Sequence, residues 1–240
     1  MKNILISTIV RNRETFLNTW LRQIKELVLD NSDYNFYLSI YENDSTDKSK
    51  DVLNSLDYSF LKDYKLEMGT LNIPYFGSIK HDQRVQYLAQ LRNRTLFNNT
   101  FLSECDYVIS IEPDICYDYK LMKPIIVDDA YDILSARSTE VSNPDNFHLY
   151  DGWGTRYTES DGDWIHNIDF SKSDFLDVWS TYNCFCKYKS DLIKNKIAYG
   201  GFNERLKRFD CDTAVICENY RKNGSNKIGI YTKAIAFHSR

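Results

Sequence analysis

Glu112 and Asp114 are the first candidates for chemistry, because two carboxylates stand two residues apart directly after an apolar run. That run, residues 106–111, predicts a buried strand. Side chains two positions apart on an extended backbone point to the same face, so both carboxylates could bind one divalent cation through oxygen. Such a cation, placed beside a diphosphate, would neutralise the charge that develops on a leaving group. The alternative is that both acids only end the strand around Pro113.

Two further candidates lie in the last 31 residues of the chain. His238 follows an apolar run, residues 234–237, and neutral imidazole can bind a divalent metal such as manganese, although a lone histidine is more often a satisfied surface or core residue. Asp210 and Asp212 precede a predicted helix, where carboxylates commonly cap free backbone N–H groups. Alternatively, one of them acts beside an acceptor hydroxyl, as a general base or as a stabiliser of developing positive charge.

Aromatic and charged side chains are concentrated between residues 150 and 164. Sugar rings have apolar C–H faces and a rim of hydroxyls, so an aromatic plate beside carboxylates suits them. The candidates for an acceptor or sugar site are Asp151, Trp153 and Arg156. Aromatic residues also anchor loops to a core, and without other clues this second interpretation is the better one.

Hydrophobic periodicity predicts an alternation of strands and helices in the first half of the chain. Strands are predicted at residues 3–10, 35–42, 64–68 and 106–111, and helices at residues 14–29, around 52–56, and at 82–102. This order builds a parallel sheet with helices on both faces. Ligands collect beyond the carboxyl ends of such strands, where this chain has polar segments at Thr8–Arg11, Glu42–Asp47 and Glu112–Asp114.

The second half of the chain has a different pattern. Strands are predicted at residues 131–138, 180–188, 227–231 and 234–238, a helix at 210–222, and long loops at 143–174. No linker or repeat separates the halves, residues 1–115 and 116–240, so we expect one domain over residues 1–240 with a continuous core.

Composition narrows the class of protein. The chain has 240 residues, of which 42% are hydrophobic and 27% charged, as in an ordinary globular domain rather than a disordered or fibrous chain. The net charge of −4 argues against a general nucleic-acid binder. No apolar run approaches the ~20 residues of a membrane span, and no signal peptide is recognisable, so we expect a cytoplasmic protein.

Five segments, in this order, resemble the cryptococcal capsular α-1,3-mannosyltransferase family of GT-A glycosyltransferases. They are YENDSTDKSKDVLNSL, RVQYLAQLRNRTL, CDYVISIEPDICYD, YDGWGTRYTESDG and RFDCDTAVICENYRKNG. The resemblance runs from about residue 36 to residue 224. It implies an α/β fold of the nucleotide-diphospho-sugar transferase type. In this fold a Rossmann-like, mostly parallel sheet is flanked by helices and carries a smaller, mixed acceptor-side region. The nucleotide-sugar-binding half would be residues 1–115 and the acceptor-binding half residues 116–240.

The resemblance also implies roles for particular residues. Glu112-Pro113-Asp114 takes the position of the family's acidic DxD motif, so Asp114 is expected to bind Mn²⁺ (or Mg²⁺), with Glu112 as a second oxygen ligand. His238 stands where many GT-A enzymes have a C-terminal metal-binding histidine. Asp210 aligns with an acidic residue near the acceptor. The donor-binding residues that the resemblance implies are Thr8, Val10, Arg11, Asp44, Arg84, Arg92, Asn93 and Glu112.

The expected function is therefore metal-dependent transfer of a hexose or deoxyhexose from a GDP- or UDP-linked donor to a glycan hydroxyl, with retention of configuration as in the resembled family. Thr181–Phe185 lacks the Trp and Gly of the family's Ser-Cys-Trp-Asn-Gly segment, so mannose is not specified. One alternative is a nucleotidyltransferase, which would need a glycine-rich phosphate loop, and residues 8–13 contain no glycine. A non-catalytic sugar-binding module is the other.

Overall fold

The computed structural model of this chain describes residues 1–77, 79–140, 149–161 and 168–238. Its strands are β1 (Lys2–Val10), β2 (Tyr34–Asn43), β3 (Asp63–Gly69), β4 (Tyr107–Ile111), β5 (Ile115–Tyr117), β6 (Ile133–Glu140), β7 (Phe175–Asp177), β8 (Phe185–Lys189), β9 (Phe202–Asn203), β10 (Arg208–Phe209) and β11 (Ile228–His238). Its α-helices are α1 (Leu17–Asp30), α2 (Ser49–Ser55), α3 (Asp82–Phe97), α4 (Tyr119–Val127), α5 (Ser190–Lys194) and α6 (Asp212–Lys222), and a 3₁₀ helix covers Phe101–Glu104.

One large sheet carries both halves of the chain, in the strand order β3-β2-β1-β4-β8-β6-β11-β5, with β7 also paired to β11. The pairs β2–β3, β1–β2, β1–β4 and β6–β11 are parallel. Strand β8 lies antiparallel between β4 and β6. Strands β1, β2, β3, β4, β6 and β11 therefore all run in one direction, and the expected α/β architecture with a mostly parallel sheet is confirmed.

Hydrophobic periodicity explains the core. All five residues of β4 are buried, as expected of a strand with helices on both faces. In α1 the buried apolar side chains recur every three or four residues and form one face, which packs on the sheet; they are Leu17, Trp20, Leu21, Ile24, Leu27 and Val28. Each such side chain stabilises the fold by about 1.5–3 kcal/mol relative to leaving it exposed.

No helix among the described residues has the length and apolar character needed to cross a bilayer.

Several predicted boundaries are wrong for local reasons. Helix α3 ends at Phe97 instead of residue 102, because the Asn99 side chain accepts the backbone N–H groups of Phe101 and Leu102 and starts a separate 3₁₀ turn. Strand β8 begins at Phe185 rather than at residue 180, because the two preceding residues have left-handed backbone angles that end an extended segment. Helix α1 begins at Leu17, three residues later than predicted.

The two short C-terminal strands predicted from the sequence form one strand, β11, whose register shifts between Ile230 and Ile235. Helix α4 was not predicted at all. Asp118 caps it by accepting the backbone N–H of Lys120 at 2.9 Å, and Pro124 lies inside it. Of the predicted loop segment 143–174, the described parts contain no helix or strand, and Trp164 lies outside the described residues.

Candidate active site

The carboxyl edge of the sheet carries two adjoining cavities. The first cavity, about 190 Å³, is bounded by the ends of β1 and β2, residues 73–77 and α3. The second cavity, about 220 Å³, is bounded by the ends of β4 and β11, the loop at 150–153 and the start of α6. The two share a wall formed by Arg13, Arg84, Leu88, Arg92 and Glu112. The residues that end the strands of one direction are therefore gathered at one place, as α/β topology predicts.

Asp114 and His238 meet at the second cavity. The His238 Nε2 atom lies 3.3 Å from Asp114 Oδ2, and Arg13 Nε donates to the same oxygen at 2.8 Å. The imidazole stacks on Tyr150 with 3.9 Å between ring centroids. Burial alone would raise the pKa of Asp114, but His238 and Arg13 outweigh burial and lower it, so the carboxylate stays ionised.

The Asp114–His238 pair fits a divalent cation. Bonds of about 2.0–2.1 Å in an octahedral site place neighbouring ligand atoms about 3 Å apart, close to the separation seen here. His238 Nδ1 is also buried without a hydrogen-bond partner among the described residues. No group of three or more His, Cys, Asp or Glu in the described part of the chain is arranged around a common ion position. Ions such as Mg²⁺ commonly take only one or two protein ligands and complete their shell with substrate phosphates and water.

Glu112 points to a different partner. The Arg92 Nη2 atom donates to Glu112 Oε1 at 2.6 Å, and the Tyr182 hydroxyl donates to the same oxygen at 2.8 Å. Arg92 also donates through Nε to Asp212 Oδ2 at 2.8 Å and through Nη1 to Tyr182 Oη at 2.7 Å. Arg92 is therefore the centre of a buried polar cluster, and the structure brings Glu112 together with Asp212 rather than with His238.

The two candidate catalytic aspartates have different surroundings. Asp212 lines the second cavity, where burial raises the pKa of its carboxyl although Arg92 opposes the shift. Asp210 is completely buried, accepts two bonds from Arg156 Nη2 at 2.7 and 2.9 Å, and accepts a third from Asn203 at 2.8 Å. Neither Asp210 nor Arg156 contributes to the walls of the two cavities.

Asp151 and Trp153 line the second cavity, as an acceptor or sugar site would require. Asp151 accepts the backbone N–H of Asn183 at 3.0 Å and that of Gly154 at 3.3 Å, but burial is the largest effect and raises its pKa to about 7. A Cβ at Gly154 would lie 2.6 Å from Asp151 Oδ2, so a larger residue there would displace that carboxylate. The Lys80 ammonium lies 5.6 Å from the centre of the Trp153 ring system.

Arg11 and Asp44 form hydrogen bonds with the loop, residues 71–77, that forms one wall of the first cavity. The Asp44 carboxylate accepts the backbone N–H groups of Leu71, Asn72 and Ile73 at 2.8–3.1 Å. Arg11 lines the cavity, donates to the carbonyl of Ile73 at 2.8 Å, and lies 5.6 Å from the centre of the Tyr75 ring. Asp44 thus acts on the loop and is not itself among the lining residues.

The other residues implied by the resemblance divide into wall residues and supports. Val10 and Arg84 line the first cavity, and Arg84 lines both. Thr8 is buried and donates to the carbonyl of Ile111, so it ties β1 to β4. Asn93 braces the backbone of Tyr199 through two hydrogen bonds.

Arg13 and Tyr182 are functional candidates that the sequence did not single out. Arg13 lies two residues beyond the segment flagged at the end of the first strand. Tyr182 belongs to Thr181–Phe185, the segment that departs from the family pattern, and that departure was the available signal. Arg13 bonds to Asp114, which is 101 residues away in the chain, and Tyr182 bonds to Glu112, which is 70 residues away. Local sequence patterns do not predict contacts over such separations.

Comparison with known proteins identifies the family and the fold. A family model described as cryptococcal mannosyltransferase 1 matches residues 3–177. No curated protein sequence matches the chain. The TarS 1–349 structure from S. aureus, in complex with UDP-GlcNAc, is similar with a TM-score of 0.60 and 14% identity, over 100% of this chain and 59% of that chain. This chain thus spans about three fifths of that TarS fragment.

Two more solved structures are similar at the same level. The mannosyltransferase PcManGT from Pyrobaculum calidifontis, in complex with GDP-Man and Mn²⁺, has a TM-score of 0.59 and 10% identity over 99% of this chain and 56% of its own. GalNAc-T7 with UDP, GalNAc and Mn²⁺ has a TM-score of 0.58 and 11% identity over 100% of this chain and 44% of its own. At such identities these structures show the fold, which is the GT-A fold of glycosyltransferases.

Proposed function

This chain belongs to the cryptococcal mannosyltransferase 1 family, and on that premise we propose that it is a glycosyltransferase of glycan biosynthesis. It moves a hexose or deoxyhexose from a GDP- or UDP-linked donor to a hydroxyl of a glycan acceptor. The observation that carries the proposal is the Asp114–His238 pair, at the junction of two cavities whose shared wall holds Arg13 and Arg84. A metal ion held by the carboxylate and the imidazole, together with the guanidinium groups, would suit a diphosphate.

The donor would extend across both cavities. The nucleoside would occupy the first cavity against Val10, Arg11 and Tyr75. The diphosphate would cross the shared wall beside Arg13 and Arg84, because a planar guanidinium can donate two parallel hydrogen bonds to phosphate oxygens. Among the described residues, none forms a hydrogen bond or ion pair with Arg84, which leaves its donors available. The transferred sugar would enter the second cavity, near Asp151, Trp153 and Asp212.

The metal would be held by Asp114 and His238. A bound Mn²⁺ or Mg²⁺ supplies Lewis-acid neutralisation of the diphosphate charge. Glu112, the first acid of the motif, serves instead as a partner of Arg92 and Tyr182 in this proposal. PcManGT, in complex with GDP-Man and Mn²⁺, and GalNAc-T7, with UDP, GalNAc and Mn²⁺, support the choice of a divalent metal.

For the transfer step we propose retention of configuration. The bond between the anomeric carbon and the diphosphate oxygen breaks, and the acceptor oxygen bonds to that carbon from the same face. The acceptor proton passes to the departing phosphate oxygen. Asp212, a carboxylate on the cavity wall, stabilises the positive charge that develops on the sugar. We assign this role to Asp212 rather than Asp210, whose charge is already compensated by Arg156.

Nucleotide binding tests this proposal and separates it from its alternatives. Calorimetric titration with UDP and with GDP, each with and without Mn²⁺, is expected to show binding to one of them that Mn²⁺ strengthens. Asp114→Ala should abolish the Mn²⁺ effect and lower donor turnover at least 100-fold, because it removes one of two metal ligands. Glu204→Ala, which removes an exposed carboxylate, is the matched control and should behave as the wild type.

Other outcomes would contradict the proposal, each in a different part. Undiminished turnover by Asp114→Ala would remove the metal from the mechanism. Glycan binding with no nucleotide binding would indicate a sugar-binding module. Formation of a nucleotide sugar from a nucleoside triphosphate and a sugar phosphate would indicate a nucleotidyltransferase.

A further inference from the structure

Arg92 holds two carboxylates from distant parts of the chain. It lies on α3 and is 6% exposed, Glu112 follows β4, and Asp212 begins α6. Its Nε donates to Asp212, its Nη2 donates to Glu112, and its Nη1 donates to the Tyr182 hydroxyl, all within 2.8 Å. The guanidinium also lies 4.6 Å from the centre of the Tyr182 ring. A single guanidinium therefore links helix α3, the segment after β4 and the start of α6.

Within this hydrogen-bonded cluster one guanidinium serves two carboxylates. Two further cations of the same cavity wall, Arg84 beside Asp212 and Arg13 beside Glu112, act on these acids through space only. Keeping buried charged groups costs free energy, and apolar residues of similar volume often serve a core as well or better. The cluster also forms part of the wall of the second cavity, where Glu112 retains 20% of its side-chain exposure. Its location and its buried charged groups both point to a role at the reacting sugar.

We propose that Arg92 and Tyr182 are positioning residues, which fix the Glu112 and Asp212 carboxylates so that Asp212 faces the transferred sugar. This inference rests on the proposed function and extends it to two residues that act through others. The Tyr182 hydroxyl has a defined part, because it accepts from Arg92 and donates to Glu112. Without it, Arg92 would lose an acceptor and Glu112 a donor, and the planar guanidinium could rotate away from Asp212.

Tyr182→Phe isolates that hydroxyl while keeping the aromatic ring under Arg92. We expect kcat for hydrolysis of GDP-mannose or UDP-glucose, whichever nucleotide binds, to fall about tenfold, the equivalent of one hydrogen bond to a charged group. The KM should stay within twofold, because the hydroxyl is already bonded to Arg92 and Glu112 and is not proposed as a donor-binding group. Tyr220→Phe is the matched control, since it removes another buried hydroxyl, bonded to the carbonyl of Lys189, and should leave kcat unchanged.

A double-mutant cycle separates positioning from a purely structural role. If Tyr182 acts through Asp212, then Tyr182→Phe should change kcat less than twofold once Asp212→Asn is present. An equal loss in both backgrounds, or wild-type kcat for the single variant, would overturn the positioning role. If Tyr182→Phe fails to fold, Arg92→Lys provides the same test, because it keeps the charge but loses the planar fork. It should lower kcat at least tenfold at unchanged KM, and wild-type kcat would again overturn the role.

Failure of the proposed function would look different. A wild-type chain that binds neither UDP nor GDP and hydrolyses neither donor would overturn the proposed function, and this inference with it. A wild-type chain that hydrolyses a donor, with a Tyr182→Phe variant of equal kcat, would overturn the positioning role alone.

Discussion

At the scale of single residues, Asp210 and Asp212 show how two neighbouring carboxylates take different roles. Asp210 precedes α6 and Asp212 is its first residue, and from the sequence either could serve as a cap or as a catalytic group. Asp210 is enclosed with Arg156, and removing one partner of such a buried pair typically costs about 3–5 kcal/mol of stability. Asp212 reaches the cavity and shares Arg92 with Glu112. The first is placed to hold the fold together, and the second is the one that we propose to act on a ligand.

Asp151 should make stability depend on pH. Its folded-state pKa of about 7 lies above the ordinary aspartate value, so between about pH 4 and pH 7 the folded state keeps a proton that the unfolded state has lost. The free energy of unfolding should therefore fall as the pH rises through this window, by at most about 4 kcal/mol before screening by solvent. Asp151→Asn, which stays neutral, should flatten that dependence.

Urea unfolding at pH 5 and pH 8 measures this difference. The wild type should lose more stability than Asp151→Asn between the two pH values, and the difference between the proteins cancels the contribution of all other groups. Equal losses would mean that Asp151 is ionised in the folded state throughout this range.

At the scale of elements, helix α3 and the loop before it build the shared wall. Arg84, Leu88 and Arg92 are spaced four residues apart, so they lie along one face of the helix, and all three line both cavities. The loop over the first cavity is tied to β2 by Asp44, which accepts three successive backbone N–H groups. Helix α3 and the tied loop thus bound the space that we propose for the nucleoside.

Releasing that loop should weaken nucleotide binding. Asp44→Ala removes the acceptor of the N–H groups of Leu71, Asn72 and Ile73, so the loop must be ordered at the moment of binding and the affinity should fall about tenfold. Calorimetry of the preferred nucleotide measures the loss, and hydrogen exchange at residues 71–77 should increase in parallel. Asp57→Ala, at an exposed turn, is the control. Wild-type affinity together with faster exchange would show that the loop does not contact the nucleotide.

At the scale of the whole molecule, the direction of six strands decides where the site lies. Strands β4 and β11 belong to opposite halves of the chain, yet both end at the same edge because β8, between β4 and β6, is antiparallel to both. Strand β5, which starts directly after Asp114, pairs antiparallel with β11 so that Ile115 lies opposite His238, and this register makes Asp114 and His238 neighbours. A donor bound with a metal would touch both halves of the sheet.

Such a ligand should stabilise the whole fold. At 100 times the dissociation constant, binding contributes about 2.7 kcal/mol, which for a domain of this size raises Tm by about 5–10 °C. We expect this shift with nucleotide and Mn²⁺ together, and a much smaller one with either alone. Differential scanning calorimetry measures it. An equal rise with nucleotide alone would place the metal outside the binding step.

The order of strands and helices in the first half, the α/β class and the acidic motif at the end of β4 were predictable, because these depend on periodicity and local spacing. The resemblance to the mannosyltransferase family also depended on the order of short segments. Boundaries at Phe97 and Phe185 were missed, since a side-chain cap and two left-handed residues decided them.

Which polar groups meet could not be predicted in this way. The fold placed Asp114 against His238 and Arg13, turned Glu112 towards Arg92 and Tyr182, and enclosed Asp210 with Arg156 while Asp212 faced the cavity. The partner of a buried charge is set by strand direction and packing, because these bring together residues that lie far apart in the chain.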